Sequence, residues 1–377
     1  MNFDSVTVAK ALTELSFSFH IMITTIGVGF PMLISFAEWI GIKKQDPHYI
    51  LLARRSTRAF MIIVSVGVVS RTCIGLQLSL LWPSFMQLAG QAIGFPLFMD
   101  TLAFFLEIIF LGIYLYSWDR FKKPNRHWLL SIPIIIGSTM SAFFITSVSV
   151  FLDTPQGFRL VNGKIVDVQP FVAMLNPATP AKTFHVIVTS YLAVALILAA
   201  ITATRMLGGR KNVYYQKALK LTMIVASLFS IGSVVTGDLS EKLIHPLSIH
   251  YVLDLKVIFA IYMVLISFAY VFILKYKREW AVNRYLLRGI MISGPLALVT
   301  IEMSWLFAAA SRQPWIIRGY MKVSEAATTA PTENIDLVFV CFAIVYTIFA
   351  AISLKVMIKM FHSNPAELEL EKPIEMK

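Results

Sequence analysis

The sequence predicts an all-α polytopic membrane protein of about nine transmembrane helices, with its N-terminus outside and its C-terminus cytoplasmic. Three observations carry that prediction. Of the 377 residues, 57% are apolar and only 14% charged, and the mean hydropathy is +0.73, far to the apolar side of soluble domains. Apolar stretches of about 20 residues, long enough to cross a bilayer, recur near 15–40, 57–82, 96–117, 128–152, 183–207, 216–236, 251–274, 286–310 and 336–358. The basic residues, finally, alternate by loop. One set of loops holds Lys43, Lys44, Arg54, Arg55 and Arg58, then Arg120 to Arg126, Arg205 to Lys220, Lys275 to Arg288, and the tail. The other set holds only Lys10, Arg159, Lys164, Lys182, Lys242, Arg312, Arg318 and Lys322. The positive-inside rule assigns the first set to the cytoplasm.

That distribution also explains the net charge of +12 without a nucleic-acid partner. The first stretch is too long for a signal-peptide core and shows no small-residue cleavage site, so it is expected to be retained. Cys73 and Cys341 fall inside predicted helices without CxxC or Cys/His spacing, so they read as packing residues. No phosphate loop, low-complexity tract or internal repeat is visible, and residues 1–377 read as one domain.

Taken in order, the first span begins Ser16-Phe17-Ser18-Phe19-His20. His20 lies in the outer part of the membrane, where a metal ligand and a hydrogen-bonded core histidine fit equally well. The second span carries Arg71, and a guanidinium inside a span needs an anionic partner. On the third, Asp100 and Glu107 are seven residues apart and share one helix face. Two acids on one face suit a proton relay or a cation site, or a pair of neutral hydrogen-bonded acids. The hydroxyls of the fourth span, Ser138 to Ser149, read as helix–helix glue. The segment from Asp153 to Lys182, rich in Pro and Gly, reads as ordered turns on the outer surface.

The fifth span opens through Asn176-Pro177 to Lys182 and His185, and the sixth ends at Gly237-Asp238-Leu239-Ser240. Only a short outer segment, 238–250, separates it from the seventh, which begins near His250, with Asp254 and Lys256 following. The eighth span carries a lone acid, Glu302, and ends in Arg312-Gln313-Pro314-Trp315. A carboxylate amid hydrocarbon costs several kcal/mol unless it pairs, protonates or binds a metal, so Glu302 is a functional candidate. The ninth is expected to pack against lipid or a partner subunit. His48, His127 and His362 fall on the cytoplasmic side and read as solvated.

Several of these stretches resemble subunit I of the cytochrome bd-type quinol oxidases. The resemblance rests on Glu302-Met303-Ser304-Trp305 followed by Arg312-Gln313-Pro314-Trp315, and on Ala103-Phe104-Phe105-Leu106-Glu107 followed by Ser117-Trp118-Asp119-Arg120. Gln77, Trp82, Ser141-Ala142, Asp153-Thr154-Pro155, Asn176-Pro177 with His185, and Gly237-Asp238-x-Ser240 agree. Departures are Gly75 and Met99 where the family has Glu, Ser149 where it has Asn, and the short segment 238–250 where it has a long quinol-binding loop.

The resemblance implies a haem-containing terminal oxidase subunit of the prokaryotic inner membrane that reduces O2 to water. It implies His20 and Glu302 as ligands of two high-spin haems, one of them haem b and the other haem d or a further haem b. His185 would ligate a low-spin haem b, with His250 standing where the family's Met ligand is absent. Arg71, Lys256, Arg312 and Trp315 would border the cofactors, with a haem propionate or a carboxylate as partner of Arg71. Protons would move from the cytoplasm past Glu107 to Asp100. Partners would be a second, subunit II-like membrane chain, a small single-helix subunit, and quinol or another electron donor. A haem electron-transfer subunit without oxidase activity, or a secondary transporter, is the alternative; a transporter would show broken helices and an internal repeat.

Overall fold

A computed structural model describes residues 5–162, 164–244, 250–327, 335–363 and 365–371, excluding the side chains of 5, 164, 238, 240–244, 250–254, 361–363 and 371. Among the described residues nine helices are long and apolar enough to cross a membrane. They are α1 (Ser5–Lys44), α2 (Pro47–Leu81), α3 (Pro83–Tyr116), α4 (Ser131–Asp153), α5 (Thr179–Leu207), α6 (Val213–Ile244), α7 (His250–Tyr276), α8 (Arg284–Arg312) and α9 (Ile335–Ser363).

Several run well past the apolar stretches that announced them. Pro83, the first residue of α3, follows α2 with only Trp82 between, so the expected loop from Pro83 to Phe95 is helix. Proline suits a first helical position, where its missing N–H would have no partner. At its inner end α2 starts on an Asp46 cap that accepts the His48 N–H, again with proline in the first turn.

Helices α1 and α5 form the centre. The buried face of α5 is rich in small residues, Ala193, Ala195, Ala199, Ala200 and Ala203, which lets neighbouring backbones close in where no hydrophobic force separates helix from lipid. Outermost, α7 and α9 turn rows of Leu, Ile and Val outward, including Ile258, Ile261, Leu265, Ile344, Ile348 and Ile352, as contact with lipid tails requires. Between α4 and α5 the expected ordered turns are an antiparallel hairpin, β1 (Arg159–Val161) with β2 (Lys164–Val166), and a short helix, Pro170–Met174. A second hairpin, β3 (Trp315–Ile317) with β4 (Met321–Lys322), follows α8.

One expectation fails at the end of the bundle where the cations gather. His127, read as solvated, is 2% exposed. The short helix Pro124–Leu129 turns it beneath the bundle, where Glu38 takes its Nδ1 at 2.6 Å and its Nε2 donates to the Tyr114 carbonyl at 3.0 Å. The short polar tail packs as well. Its helix Ala366–Glu371 docks on α2, with Glu369 bridging Arg55 and Arg58 and Ala366 fully buried. His48 is partly buried against Asp46, and the side chain of His362 lies outside the described residues.

Candidate functional site

A belt of polar side chains crosses five helices in the outer half of the bundle. Phe17 of α1 lies against Trp305 of α8, ring centroids 5.5 Å apart. The two helices are antiparallel, so three residues deeper on each places His20 level with Glu302, and Ser18 sits beside the Glu302 carboxyl. His20 Nδ1 meets the Ser70 hydroxyl of α2 at 2.8 Å. The next residue, Arg71, forms an ion pair with Asp100 of α3, and Ser141 of α4 donates to the same carboxylate at 2.5 Å. Of the two anionic partners the sequence left open for Arg71, the carboxylate is present.

From Asp100 the acids descend α3. Glu107 is two turns, roughly 10 Å, further in, and both are almost fully buried, at 1% and 4% exposure. Gly137 of α4 makes this possible: a Cβ there would come within 2.7 Å of the Ala103 carbonyl and 2.8 Å of the Glu107 backbone nitrogen. Tyr114, two turns further again, belongs to the inner cluster with Glu38 and His127.

His185 stands outside the belt, on the α5 face toward α6, but near its depth. Parallel helices α1 and α5 touch at Gly29 against Ser190 and Val194, and nine residues outward from each contact lie His20 and 181–185. His185 Nδ1 meets the Thr236 hydroxyl at 3.0 Å, and the ring lies over Gly237, where a Cβ would approach Cε1 to 3.2 Å. Lys182 and Lys256 are within electrostatic range of the imidazole, and Lys256 Nζ also lies 5.4 Å from the Phe307 ring. His250 begins α7, but its side chain lies outside the described residues, as does the backbone of 245–249.

Arg312 is held differently from Arg71. Its Nε donates to Asp153 at 2.8 Å, and Lys182 at 3.3 Å and Arg318 at 3.8 Å approach the same buried carboxylate. Asp153 is therefore a hub that the sequence reading passed over. A signal existed: it is a lone acid at the outer end of a span, opposite three of the few outer cations. Trp315 sits in β3 beside Lys322, whose Nζ lies 5.8 Å from the ring.

A sequence profile described as cytochrome bd terminal oxidase subunit I matches residues 8–248 and 241–365. The chain belongs to that family. It is similar over 97% of its length, at 42% identity and a TM-score of 0.91, to a chain of the bd oxidase structure from Geobacillus thermodenitrificans, all of which is covered. A putative cytochrome bd menaquinol oxidase subunit I of Bacillus subtilis is 28% identical over 97% of this chain and 99% of its own. A cytochrome bd ubiquinol oxidase subunit 1 of the same organism is 28% identical over 59% of this chain and 48% of its own. This bd subunit I is accordingly part of a terminal oxidase, a respiratory oxidoreductase of the bacterial cell membrane. Members of the family carry haem and work in a complex with a subunit II.

The residues present fit haem. Several buried polar atoms without a close hydrogen bond lie around the outer turns of α1: both amide atoms of Gln77, Glu302 Oε1, Trp305 Nε1 and the Tyr346 hydroxyl, the last within interaction range of Gln77 and Ser16; others, such as Arg58 Nε and Trp118 Nε1, lie at the inner end. Tyr346 stacks on Phe19 at 4.8 Å, so this set frames the α1 face next to His20. Leaving such groups unsatisfied costs roughly 1–3 kcal/mol each, which a large group with a polar edge removes. Among the described residues no three His, Cys, Asp or Glu side chains converge as they would on a bare metal ion. His20, His185 and Glu302 each stand singly, as axial ligands do.

Proposed function

We propose that this subunit holds its haems in the outer half of the membrane through His20, Glu302 and His185, the last paired with His250, and supplies protons along α3. The reading is carried by the belt, a row of polar side chains over five helices that leaves the His20 Nε2 and Glu302 Oε1 unused. His20 and Glu302 each offer one ligand to a separate iron, which suits high-spin haem: haem b at Glu302, and haem d or a further haem b at His20. His185 with His250 makes a closed pair, suited to a low-spin haem b. Bound haem supplies redox-active iron that accepts single electrons and, where a position stays open, takes up O2.

The protein's own groups do the remaining work. Arg71 neutralises Asp100 beside His20, and Lys256, within electrostatic range of His185, would pair with a carboxylate of the bound haem. Arg312 and Trp315 tie the outer cover to the bundle through Asp153 and the β3–β4 hairpin. Glu107 passes protons outward to Asp100 from the end where the cations gather, which the positive-inside rule makes cytoplasmic.

For the electron donor we assign a quinol, because the full-length relative is named a putative menaquinol oxidase subunit. The family match breaks into two pieces that overlap at 241–248, where this chain has a short segment in place of the family's long loop. A small single-helix subunit is a further partner beside subunit II.

Pyridine haemochrome analysis of the purified complex tests the reading, and a haem-free protein overturns it. Glu302→Ala is expected to remove or disturb a high-spin haem. An unchanged reduced-minus-oxidised spectrum would make Glu302 a buried neutral acid instead.

A further inference from the structure

The two candidate histidine ligands share a detail that proton bookkeeping makes informative. The Ser70 hydroxyl, almost fully buried, donates its single proton to the Gly67 carbonyl one turn back at 3.1 Å. In that arrangement it meets His20 Nδ1 as an acceptor at 2.8 Å, with the ring proton on Nδ1. Thr236 repeats the arrangement on a different helix pair. Its hydroxyl donates to the Gly232 carbonyl at 2.7 Å and so accepts from His185 Nδ1 at 3.0 Å. The Ser233 carbonyl, which can only accept, also faces this imidazole. With the hydroxyl protons so placed, both rings carry their proton on Nδ1, and Nε2 has no hydrogen bond among the described residues.

We propose that Ser70 and Thr236 are positioning residues that set the tautomer, ring orientation and donor strength of His20 and His185 toward iron. The inference rests on the haem-ligand reading of those histidines. Its physical basis is the outer-shell rule: a group accepting from the far nitrogen of a ligating imidazole fixes its rotation and makes Nε2 more electron-rich. A hydroxyl is a weak acceptor compared with a carboxylate, and in a low-dielectric interior it achieves this without importing a second charge beside Arg71 or Lys256. Packing involves the same neighbourhood: the absence of a side chain at Gly237 leaves room for the His185 ring where Thr236 meets it.

The test uses the purified oxidase complex, with redox titration of each haem and resonance Raman detection of the iron–histidine stretch. Thr236→Val keeps the side-chain shape but removes the acceptor. The low-spin midpoint potential is expected to rise, because a less electron-rich imidazole stabilises ferric iron less, and Thr236→Ser is expected to restore it. Haem retention in the valine variant should fall ~10-fold or more. Ser70→Ala is expected to lower the iron–histidine frequency of the high-spin haem and leave the low-spin potential alone, so each variant is the other's control. Unmoved potentials and frequencies at full haem content overturn the proposal. Failure of the underlying ligand reading looks different: His185→Ala or His20→Ala would then keep its haem band whatever Thr236 and Ser70 do.

Discussion

The inner cluster around Glu38 and the outer belt around Glu302 treat a buried acid and its neighbouring imidazole differently. At the inner end the acids close on cations, imidazoles and a hydroxyl, although Arg54 Nε, Arg58 Nε, the Ser117 hydroxyl and Trp118 Nε1 keep no hydrogen bond. Glu38 accepts from the Tyr114 hydroxyl at 2.6 Å and meets His127 at the same distance, while Glu369 pairs with two arginines and Asp46 with Lys217 and His48. In the outer half, Glu302 Oε1 and Trp305 Nε1 keep no hydrogen bond, and among the described residues the His20 and His185 rings have a side-chain partner at Nδ1 alone. Groups of the same chemical type thus serve two ends. Where Glu38 meets His127 and Tyr114, the cluster holds helices together; around His20 and Glu302 the unpartnered atoms lie where the proposed haem would supply partners.

The largest expected contrast is between histidines. His20→Ala and His185→Ala should each abolish one haem signal, whereas His127→Ala, although it removes the most buried of the described imidazoles, should leave the haem spectrum intact. An optical spectrum of each purified variant decides, and loss of haem on changing His127 would break the contrast.

Next comes Glu107→Gln, which keeps the shape of the side chain but cannot carry a proton. Oxygen consumption should fall ~100-fold or more at unchanged haem content. Full turnover would assign Glu107 to packing. Asp100→Asn should slow the reaction as well, but with added loss of thermal stability, since Arg71 then lacks its counter-ion.

Glu38→Ala sharpens the other side of the comparison. It strands the Tyr114 hydroxyl and the His127 ring, and breaking a buried pair of this kind costs about 3–5 kcal/mol. Thermal unfolding in detergent should show a clearly lowered Tm while haem spectra stay as in the parent, and the reverse pattern would make the inner cluster functional.

The smallest effect is a pH dependence at the inner loop. Burial alone would raise the Asp46 carboxyl, but the hydrogen bonds from Lys217 and His48 outweigh it and hold the group below its ordinary value. A depressed carboxylate contributes stability that is fully present above its unfolded pKa of about 3.9 and is lost as pH falls through the lower folded value. Stability of the parent should therefore decline as pH falls below about 4. Lys217→Met should flatten part of that decline; identical profiles would show that the pair contributes nothing.

How much of this was legible in the sequence follows from how local each signal is. Nine apolar stretches, the seven-residue spacing of Asp100 and Glu107, and the lone Glu302 can be read along the chain, because hydrophobic length and helical period need no neighbour. The family motifs around Glu107 and Arg312 are equally local. Partnership is not. Nothing in the run from Lys122 to Trp128 announces that His127 turns inward, since its burial depends on Glu38 arriving 89 residues earlier in the chain. Asp153 gathers Lys182, Arg312 and Arg318 from three later segments, and Glu369 reaches back to α2. The hydroxyls of Ser70 and Thr236 looked like any others on apolar helices until His20 and His185 were found against them. The sequence by itself determined which segments cross the membrane and which polar residues must be accounted for there, because hydrocarbon penalises each one wherever it lies. Only the tertiary structure decided which of those residues satisfy one another and which are left with an open lone pair, because a hydrogen bond is settled by distance in space.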